Sequence, residues 1–150
     1  MQSATLHKSM LAWLQKILGK TTAAGERGER LAAEWLRRER GFAIVASNWR
    51  SPRDRRDEID LVARDGEAMV FIEVKTRGAE ALVPGYYAVN ERKKRALRRA
   101  ATAYLAGLRE KPRTIRCDIV EVALPAKGAA GEPEVRHFAN VQLFPKHFRP

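Results

Sequence analysis

The chain has 150 residues, of which 45% are hydrophobic and 31% are charged. This length and this balance predict one soluble globular domain with a substantial core and exclude a largely disordered chain. The formal net charge is +11, which favours a polyanionic partner, nucleic acid first and an acidic membrane surface second. Because many basic proteins are simply soluble, the charge alone does not identify the partner.

Cysteine and histidine are too scarce for several classes of protein. Cys117 is the only cysteine, so an intramolecular disulfide is excluded and a cytoplasmic location is the simpler expectation. With only three scattered histidines, the sequence also argues against a structural zinc site. No apolar run approaches the roughly 18–20 residues of a membrane span, so we expect no membrane-spanning segment.

Residues 1–24 are interpreted as an N-terminal helical extension. Lys16 interrupts the amphipathic patch of this segment, which lacks the long apolar stretch of a signal peptide. Two interpretations remain open: a helix that binds a partner or a surface, and an extension that packs or frays.

A helix over residues 26–40 is expected to open the core domain, residues 25–124. Apolar residues recur at helical spacing as far as Leu36, and Gly41 ends the pattern. Glu29 lies near the helix start, where an acid usually serves the helix dipole. If it faces inward instead, it is a candidate for a metal site.

The next predicted element is a strand over residues 42–47, which gives way at Asn48 to a basic loop, residues 50–56. Arg55 and Arg56 of this loop are candidate contacts to nucleic-acid phosphates. The loop brings positive charge to the start of the following strand.

Residues 57–77 predict two apolar strands joined by an Asp65-Gly66 turn. Strand side chains alternate between faces, so Glu73 and Lys75 share one face of the second strand. Met69 and Phe71 share that face, and the opposite face carries Val70, Ile72, Val74 and Thr76. Charged groups therefore interrupt a strand that is otherwise mainly apolar.

This turn would also set the pairing register of the hairpin. Glu58 would oppose Glu73, and Asp60 would lie diagonal to Glu73, within about 7–8 Å. Both acids of the first strand would share a face with Glu73 and Lys75. Buried charges require partners, and converging carboxylates are well suited to a divalent cation.

A loop is expected over residues 78–85, and Asn90 is expected to cap a helix that ends near Leu108. Six cations fall within eight residues of this helix: Arg92, Lys93, Lys94, Arg95, Arg98 and Arg99. This density favours contact with phosphates over a merely solvated face. Lys93 and Lys94 are the candidate contacts.

The remaining chain predicts a further strand over residues 115–122. Residues 125–150 are interpreted as a C-terminal loop, an edge strand over residues 135–138 and a loosely docked, aromatic and basic tail.

This order of elements and acids resembles the PD-(D/E)xK nuclease superfamily. It resembles more closely the UPF0102 or YraN-like family of small bacterial proteins, which are similar to archaeal Holliday-junction resolvases. The pattern is carried by Gly28-Glu29, Asn48, Glu58-Ile59-Asp60-Leu61-Val62-Ala63, Phe71-Ile72-Glu73-Val74-Lys75-Thr76-Arg77, Lys93 and Arg116-Cys117-Asp118-Ile119-Val120. A lone Glu-x-Lys would be a weak signal, whereas this ordered set is specific.

The resemblance implies an α/β (α+β) fold: a restriction-endonuclease-like mixed β-sheet flanked by helices, here with an added N-terminal helix. It also implies that Asp60 and Glu73, with the backbone carbonyl of Val74, bind Mg²⁺ or Mn²⁺. Glu29 would be an additional catalytic and metal-site acid.

Three basic residues also receive roles from the resemblance. Lys75 would position the attacking water or help to deprotonate it. Arg77 and Lys93 would clamp phosphates.

Two positions depart from the family pattern. Asp57 stands where the family usually has glycine, which adds a carboxylate near the expected site and bears on whether that site is tuned for catalysis. Cys117 stands where phenylalanine is usual, which we interpret as a packing change.

The leading hypothesis is therefore a metal-dependent endonuclease that acts on branched or structured DNA. The alternative is a nucleic-acid-binding protein that keeps the nuclease fold without turnover. A third interpretation is a structural protein that binds partners through residues 1–20 and the tail. A two-fold homodimer would suit symmetric cleavage, but no stretch identifies its interface.

Overall fold

The computed structural model describes residues 22–78, 91–144, 146 and 148. In chain order they form helix α1 (Ala23–Arg40), strands β1 (Ala43–Arg50), β2 (Glu58–Asp65) and β3 (Ala68–Gly78), helix α2 (Glu91–Ala106), and strands β4 (Thr114–Leu124) and β5 (Glu134–Phe138). The expected N-terminal helix, most of the loop over residues 78–85 and the Asn90 cap fall outside the described residues. Within the described ranges, no helix is both long and apolar enough to cross a membrane.

The five strands form one mixed sheet in the order β1-β2-β3-β4-β5. Strands β3 and β4 are parallel and are connected through α2, whereas the other neighbouring strands are antiparallel. The two helices pack against alternating residues of β3 and therefore cover opposite faces of the sheet. The predicted α+β fold, a mixed sheet flanked by helices, is confirmed.

Each face of the sheet carries its own hydrophobic cluster. The α1-side core consists of Ala32, Ala33, Leu36, Phe42, Leu61, Ala63, Val70, Ile72, Val74, Val120, Val122 and Leu124. The α2-side core consists of Ile59, Val62, Met69, Phe71, Leu97, Ala100, Ala101, Leu105, Cys117 and Leu143. The predicted alternation of β3 is confirmed, because Met69 and Phe71 face one helix and their neighbours face the other.

Helix α1 begins three residues before the predicted start because Thr22 caps it. The Thr22 side chain accepts a hydrogen bond from the Gly25 N–H at 3.0 Å, which satisfies one of the free donors of the first turn. Gly41 ends the helix with a left-handed φ of 69°, a conformation that glycine adopts without steric cost. Gly28 provides the closest approach to the sheet, since a Cβ atom there would lie 1.9 Å from Thr76 Oγ1.

The β2–β3 hairpin has a register that differs by two residues from the prediction. Asp65 pairs with Ala68 and Leu61 pairs with Ile72, so the two-residue loop is Gly66-Glu67. Gly66 has a φ of 59° as the first residue of this loop, which suits the glycine-first hairpin turns. The predicted faces survive from Leu61 onward, because a shift of two residues keeps every side chain on the same side of the strand. Before Leu61 the alternation of β2 breaks, since Ile59 packs in the α2-side core and Leu61 in the α1-side core.

Strand β1 is irregular at two places. Ile44 pairs with Ala63 and Ala46 with Val62, so Val45 is an extra residue that forms a bulge. Asn48 has a φ of 52° within the strand. The strand nevertheless continues to Arg50, three residues beyond the predicted end.

The C-terminal part adds to the sheet and to the α2-side core. Strand β5 pairs antiparallel with β4, as predicted for an edge strand. Leu143 is buried, and the ring of Phe144 lies 6.3 Å from that of Phe71. Phe148 stacks on Phe144 at 4.6 Å, so these tail residues pack over the same face as α2.

Candidate active site

Glu73 is the centre of the candidate site. Its side chain is fully buried, and its Oε1 lies 2.9 Å from Lys75 Nζ and 3.3 Å from Lys93 Nζ. Strand β3 places Glu73 and Lys75 side by side because residues two apart project from the same face. Lys93 reaches the same oxygen from the first turn of α2. One carboxylate is therefore in contact with two ammonium groups.

Two further carboxylates act on the Lys93 ammonium. Burial acts to lower the pKa of Lys93, but the charges on Glu73, Asp60 and Glu58 outweigh burial and raise the pKa above its ordinary value. Glu58 is also in contact with Arg50, whose Nη2 lies 3.3 Å from Glu58 Oε2. The structure thus gathers the three predicted acids of β2 and β3 around one cation of α2.

Asp60 occupies a break in the pairing of β2 with β3. Ile59 packs in the α2-side core but Leu61 packs in the α1-side core, although residues two apart in a regular strand share a face. The backbone pairing of the two strands ends at the Leu61–Ile72 pair. Beyond it, the Asp60 side chain accepts a hydrogen bond from the Val74 N–H at 2.8 Å. The carboxylate of Asp60 therefore replaces a backbone partner beside Glu73.

Glu29 approaches the sheet from the other helix. It lines a cavity of about 510 Å³ next to α1, together with Arg30, Arg37, Ser47 and Asn48. Leu61 also lines this cavity, whereas Lys93 contacts Glu73 on the α2 side. The first-helix acid and the carboxylate–lysine group are thus held by helices on opposite faces of the sheet.

The oxygen donors at the site suit a hard divalent cation. Within the described residues, no three acidic, histidine or cysteine side chains form a group that would hold a metal ion. Asp60 and Glu73 instead offer two carboxylates from neighbouring strands. This matches Mg²⁺, which commonly takes one or two protein carboxylates and completes its coordination with water and phosphate oxygens.

The hydrogen bonds of Asp57 argue against a role for it as a fourth acid of the site. Both of its carboxylate oxygens accept hydrogen bonds from the Arg99 guanidinium, at 2.8 and 3.1 Å. Its backbone carbonyl accepts from the Ser51 N–H, and its N–H donates to the Asp54 carbonyl. Asp57, which stands where the family pattern has glycine, therefore joins the basic loop to α2.

Comparison with known proteins identifies the family of the chain. The model of the uncharacterised protein family UPF0102 matches residues 28–122. The chain belongs to the UPF0102 family. It is 44% identical to a UPF0102 protein of Beutenbergia cavernae over 119 residues, which cover 79% of this chain and 95% of the relative. It is 43% identical to one of Anaeromyxobacter dehalogenans over 116 residues, covering 77% and 81%.

The UPF0102 match spans α1 to β4 and so contains every acid and lysine of the site. A UPF0102 protein of Symbiobacterium thermophilum is 48% identical over 99 residues, which cover 65% of this chain and 80% of the relative. Strand β5 and the aromatic tail lie outside the matched range, although they complete the sheet and the α2-side core. The names of these relatives give no specific activity.

Beside the site of this UPF0102 protein lies a cationic surface, formed by residues 53–56 and by the solvent side of α2. Several of its cations are held by acids: Arg56 by Asp54, Lys94 by Glu91 and Arg99 by Asp57. The side-chain hydrogen bond from Arg56 also lowers the pKa of Asp54 to about 2. Among the described residues, no ion pair holds the exposed Arg53, Arg55, Arg92 and Arg95.

This distribution changes the expected phosphate contacts. Of the predicted set, Arg55 is exposed and available, whereas Arg56 and Lys94 have acidic partners and Lys93 contacts Glu73. Arg77 follows Lys75 on the same face of β3, and its Nε is buried without a hydrogen-bond partner among the described residues. Because this nitrogen is buried, it is an unsatisfied donor of the fold and does not by itself identify Arg77 as a phosphate contact.

Glu121 is an acid near the site that the sequence prediction missed. It is only 8% exposed, and the parallel register places it directly beside Lys75 on β4. Paired strand residues project to the same face, so Glu121 shares the face of Glu73 and Lys75. The sequence shows that Glu121 interrupts an apolar strand, but it does not show the β3–β4 register that brings Glu121 beside Lys75.

A second cluster that the sequence prediction missed connects β5 to the rest of the sheet. The buried Asp118 accepts hydrogen bonds from the Arg116 guanidinium and the Asn140 N–H, and it is hydrogen-bonded to His137 Nε2 at 2.7 Å. Burial acts to raise the pKa of Asp118, but the bonds to His137 and Arg116 outweigh burial and lower the pKa. Arg116 also contacts Asp65 at 2.7 Å. This network is structural, since it links β4, β5 and the β2–β3 hairpin.

Cys117 packs in the α2-side core and is 2% exposed, in agreement with a packing change. Burial raises the pKa of the Cys117 thiol, and the nearby charges of Glu73 and Asp118 raise it further. The thiol is therefore held in its neutral, unreactive form.

Proposed function

We propose that this UPF0102 protein is a metal-dependent endonuclease that hydrolyses phosphodiester bonds in branched or structured DNA. The observation that carries the proposal is the group formed by Glu73, Lys75 and Asp60 at one point of the sheet. Glu73 is fully buried and in contact with Lys75, and Asp60 reaches across to the next residue of β3. Buried acids are costly in a sheet, which favours a functional role for them.

Asp60 and Glu73 are the residues that would hold Mg²⁺ or Mn²⁺, with the carbonyl of Val74 as the further predicted contributor. Glu29, which α1 holds on the opposite face of the sheet, is not among the ligands we propose. When bound, such a cation polarises phosphoryl oxygens and makes its water more acidic. Lys75 would orient the attacking water and offset charge on the phosphate. Arg77, on the same face of β3, would hold the phosphate through its terminal guanidinium nitrogens.

The cationic surface supports DNA as the partner. Arg53, Arg55, Arg92 and Arg95 are exposed, and residues 53–56 are joined to α2 by the Asp57–Arg99 pair. Lys93 of the same helix contacts Glu73, so α2 connects this surface to the acids. A duplex lying along the arginines would place its backbone beside the carboxylates. The proposal includes a cytoplasmic location and, for symmetric cuts, a homodimer.

A non-catalytic nucleic-acid-binding protein is the second candidate, and one observation favours it. Two ammonium groups already contact Glu73 Oε1, and the Val74 N–H already occupies Asp60 Oδ2. A site so well neutralised within the protein would bind nucleic acid through its arginines without turnover. Such a protein would show salt-sensitive binding that survives loss of the acids.

Cleavage of a panel of labelled DNA structures in Mg²⁺ or Mn²⁺ tests the proposal. We expect cleavage of branched substrates by the wild type and a loss of at least about 100-fold in Asp60→Asn and in Glu73→Gln. The matched control is Glu67→Gln, which removes an exposed carboxylate from the hairpin loop of the same two strands. Activity that persists in the Asp60→Asn, Glu73→Gln double variant would rule out this site.

Binding measured on the same variants separates the two candidates. A protein that binds DNA but yields no product with either metal, and whose affinity is unchanged by the acid substitutions, would be the binding module. A protein that binds none of the DNA structures at low salt would contradict both.

A further inference from the structure

The Lys93 ammonium contacts the Glu73 carboxylate, and the charges of two further carboxylates act on it. Its Nζ is 3.3 Å from Glu73 Oε1, and the charges of Glu73, Asp60 and Glu58 all act on it. Its side chain is only 22% exposed. A positive charge that contacts Glu73 and is attracted by Asp60 and Glu58 is held by the kind of groups that bind a hard metal cation.

The position of Lys93 in its helix is otherwise unfavourable. It is the third residue of α2, whose N-terminal end carries the positive pole of the helix dipole. A cation in a first turn is repelled by that pole, whereas acids are favoured there. The carboxylates of the sheet must therefore supply the attraction that keeps this lysine inward.

We propose that the Lys93 ammonium occupies the position of the divalent cation in this site, so that Lys93 and the cation compete for the same carboxylates. This inference rests on the proposed function, since it assumes that Asp60 and Glu73 are the cation's ligands. It assigns Lys93 a role different from that of Lys75, which projects from the same strand as Glu73 and stays beside it.

The competition has a consequence for the order of binding. While Lys93 contacts Glu73, its charge offsets that of the carboxylate in the absence of a metal. When a cation takes the carboxylates, the ammonium is released at the boundary between the acids and the arginines of α2. There the Lys93 ammonium contacts a phosphate of the nucleic acid, whose negative charge attracts it.

Calorimetric titration of Mn²⁺ into the full chain tests the competition without any activity measurement. We expect Lys93→Met and Lys93→Gln to bind Mn²⁺ at least about tenfold more tightly than the wild type, because a nearby like charge is removed. The matched control is Lys94→Met, which removes the adjacent cation that contacts Glu91 instead, and should change the affinity by less than about twofold.

Thermal melting provides an independent readout and checks that the variants fold. Without metal, Lys93→Met should melt below the wild type, because three carboxylates lose their cation. Saturating Mn²⁺ should raise its melting temperature more than that of the wild type, since binding to the folded state stabilises it. Adding Glu73→Gln to Lys93→Met should abolish both effects.

The outcomes separate this inference from the proposed function. If the wild type binds Mn²⁺ through Glu73 and both Lys93 variants bind it equally or more weakly, the competition is refuted and the metal site stands. If folded wild type and folded variants all fail to bind Mn²⁺, the competition and the metal site both fail.

Discussion

The Asp60 carboxylate accepts a hydrogen bond from the Val74 N–H at 2.8 Å, at the point where the regular pairing of β2 and β3 ends. One side chain thus has two tasks, to satisfy a backbone donor and to present negative charge beside Glu73. This relationship decides how the site should be tested, because removal of the side chain would disturb the fold as well as the chemistry.

Asp60→Ala is expected to lower the free energy of unfolding by about 1–3 kcal/mol, since a buried N–H loses its acceptor. Asp60→Asn keeps an amide oxygen for that N–H and should cost less, while the charge is lost. Urea unfolding of both variants measures the difference. Equal destabilisation by alanine and asparagine would show that the hydrogen bond contributes nothing to stability.

The Asp57–Arg99 pair should contribute to stability and not to the site. Replacing Asp57 with the family's usual glycine is expected to cost about 1 kcal/mol, because a bidentate pair is lost but its arginine is largely exposed. Mn²⁺ affinity should change by less than about twofold. A double-mutant cycle with Arg99→Ala isolates the pair, and a large change in Mn²⁺ affinity would instead place Asp57 among the site acids.

The exposed arginines of α2 should carry the salt dependence of DNA binding. Each of Arg92→Gln and Arg95→Gln is expected to weaken binding and to reduce the slope of log affinity against log salt by about 1. Lys94→Gln is the control from the same helix, because its ammonium is already 3.3 Å from Glu91. Fluorescence anisotropy at several salt concentrations measures the slopes, and identical slopes for all three variants would contradict the assignment.

Asp118 should make the fold sensitive to acid. Its pKa is lowered in the folded protein, so its stabilising contribution is complete above the unfolded value of about 3.9 and is lost as the pH falls toward the folded value. Asp118→Asn should cost at least about 3 kcal/mol at neutral pH, because Arg116 loses a buried partner. Unfolding followed between pH 7 and 2 should show a weaker acid dependence in the variant, and parallel curves would refute it.

Gly28 should be intolerant of any side chain. A Cβ atom there would lie 1.9 Å from Thr76 Oγ1 and about 3 Å from the other Thr76 side-chain carbons, so rotation of the threonine does not clear the space. Gly28→Ala is expected to cost about 1–3 kcal/mol through overpacking. Adding Thr76→Ala should recover part of this loss in chemical unfolding, and no recovery would mean that α1 itself moves.

The sequence predicted the elements and faces well because these follow from local periodicity. The alternation of β3 correctly separated Glu73 and Lys75 from Val74. The two-residue loop was misplaced by one residue and the pairing register by two, since Asp-Gly is a favoured hairpin pair and Gly-Glu is a weaker signal. The register error left the faces from Leu61 onward intact, because only an odd shift exchanges them.

The long-range parts of the site were not predictable from local pattern. The parallel register that brings Glu121 beside Lys75 depends on how α2 returns the chain to the sheet. The Asp57–Arg99 pair joins residues 42 positions apart. The break at Asp60 depends on a side chain that competes successfully with a backbone partner. Each of these depends on packing between elements, which periodicity does not encode.

The bulge at Val45 bears on self-association. Strand β1 is an outer strand, and a regular outer strand offers a row of donors and acceptors on which a second chain can continue the sheet. The extra residue at Val45 and the left-handed Asn48 both disrupt that row. The opposite outer strand, β5, has only five residues and exposes Glu134 and Arg136. Within the described residues neither border favours edge-to-edge growth, so we expect a second copy of the chain not to continue this sheet.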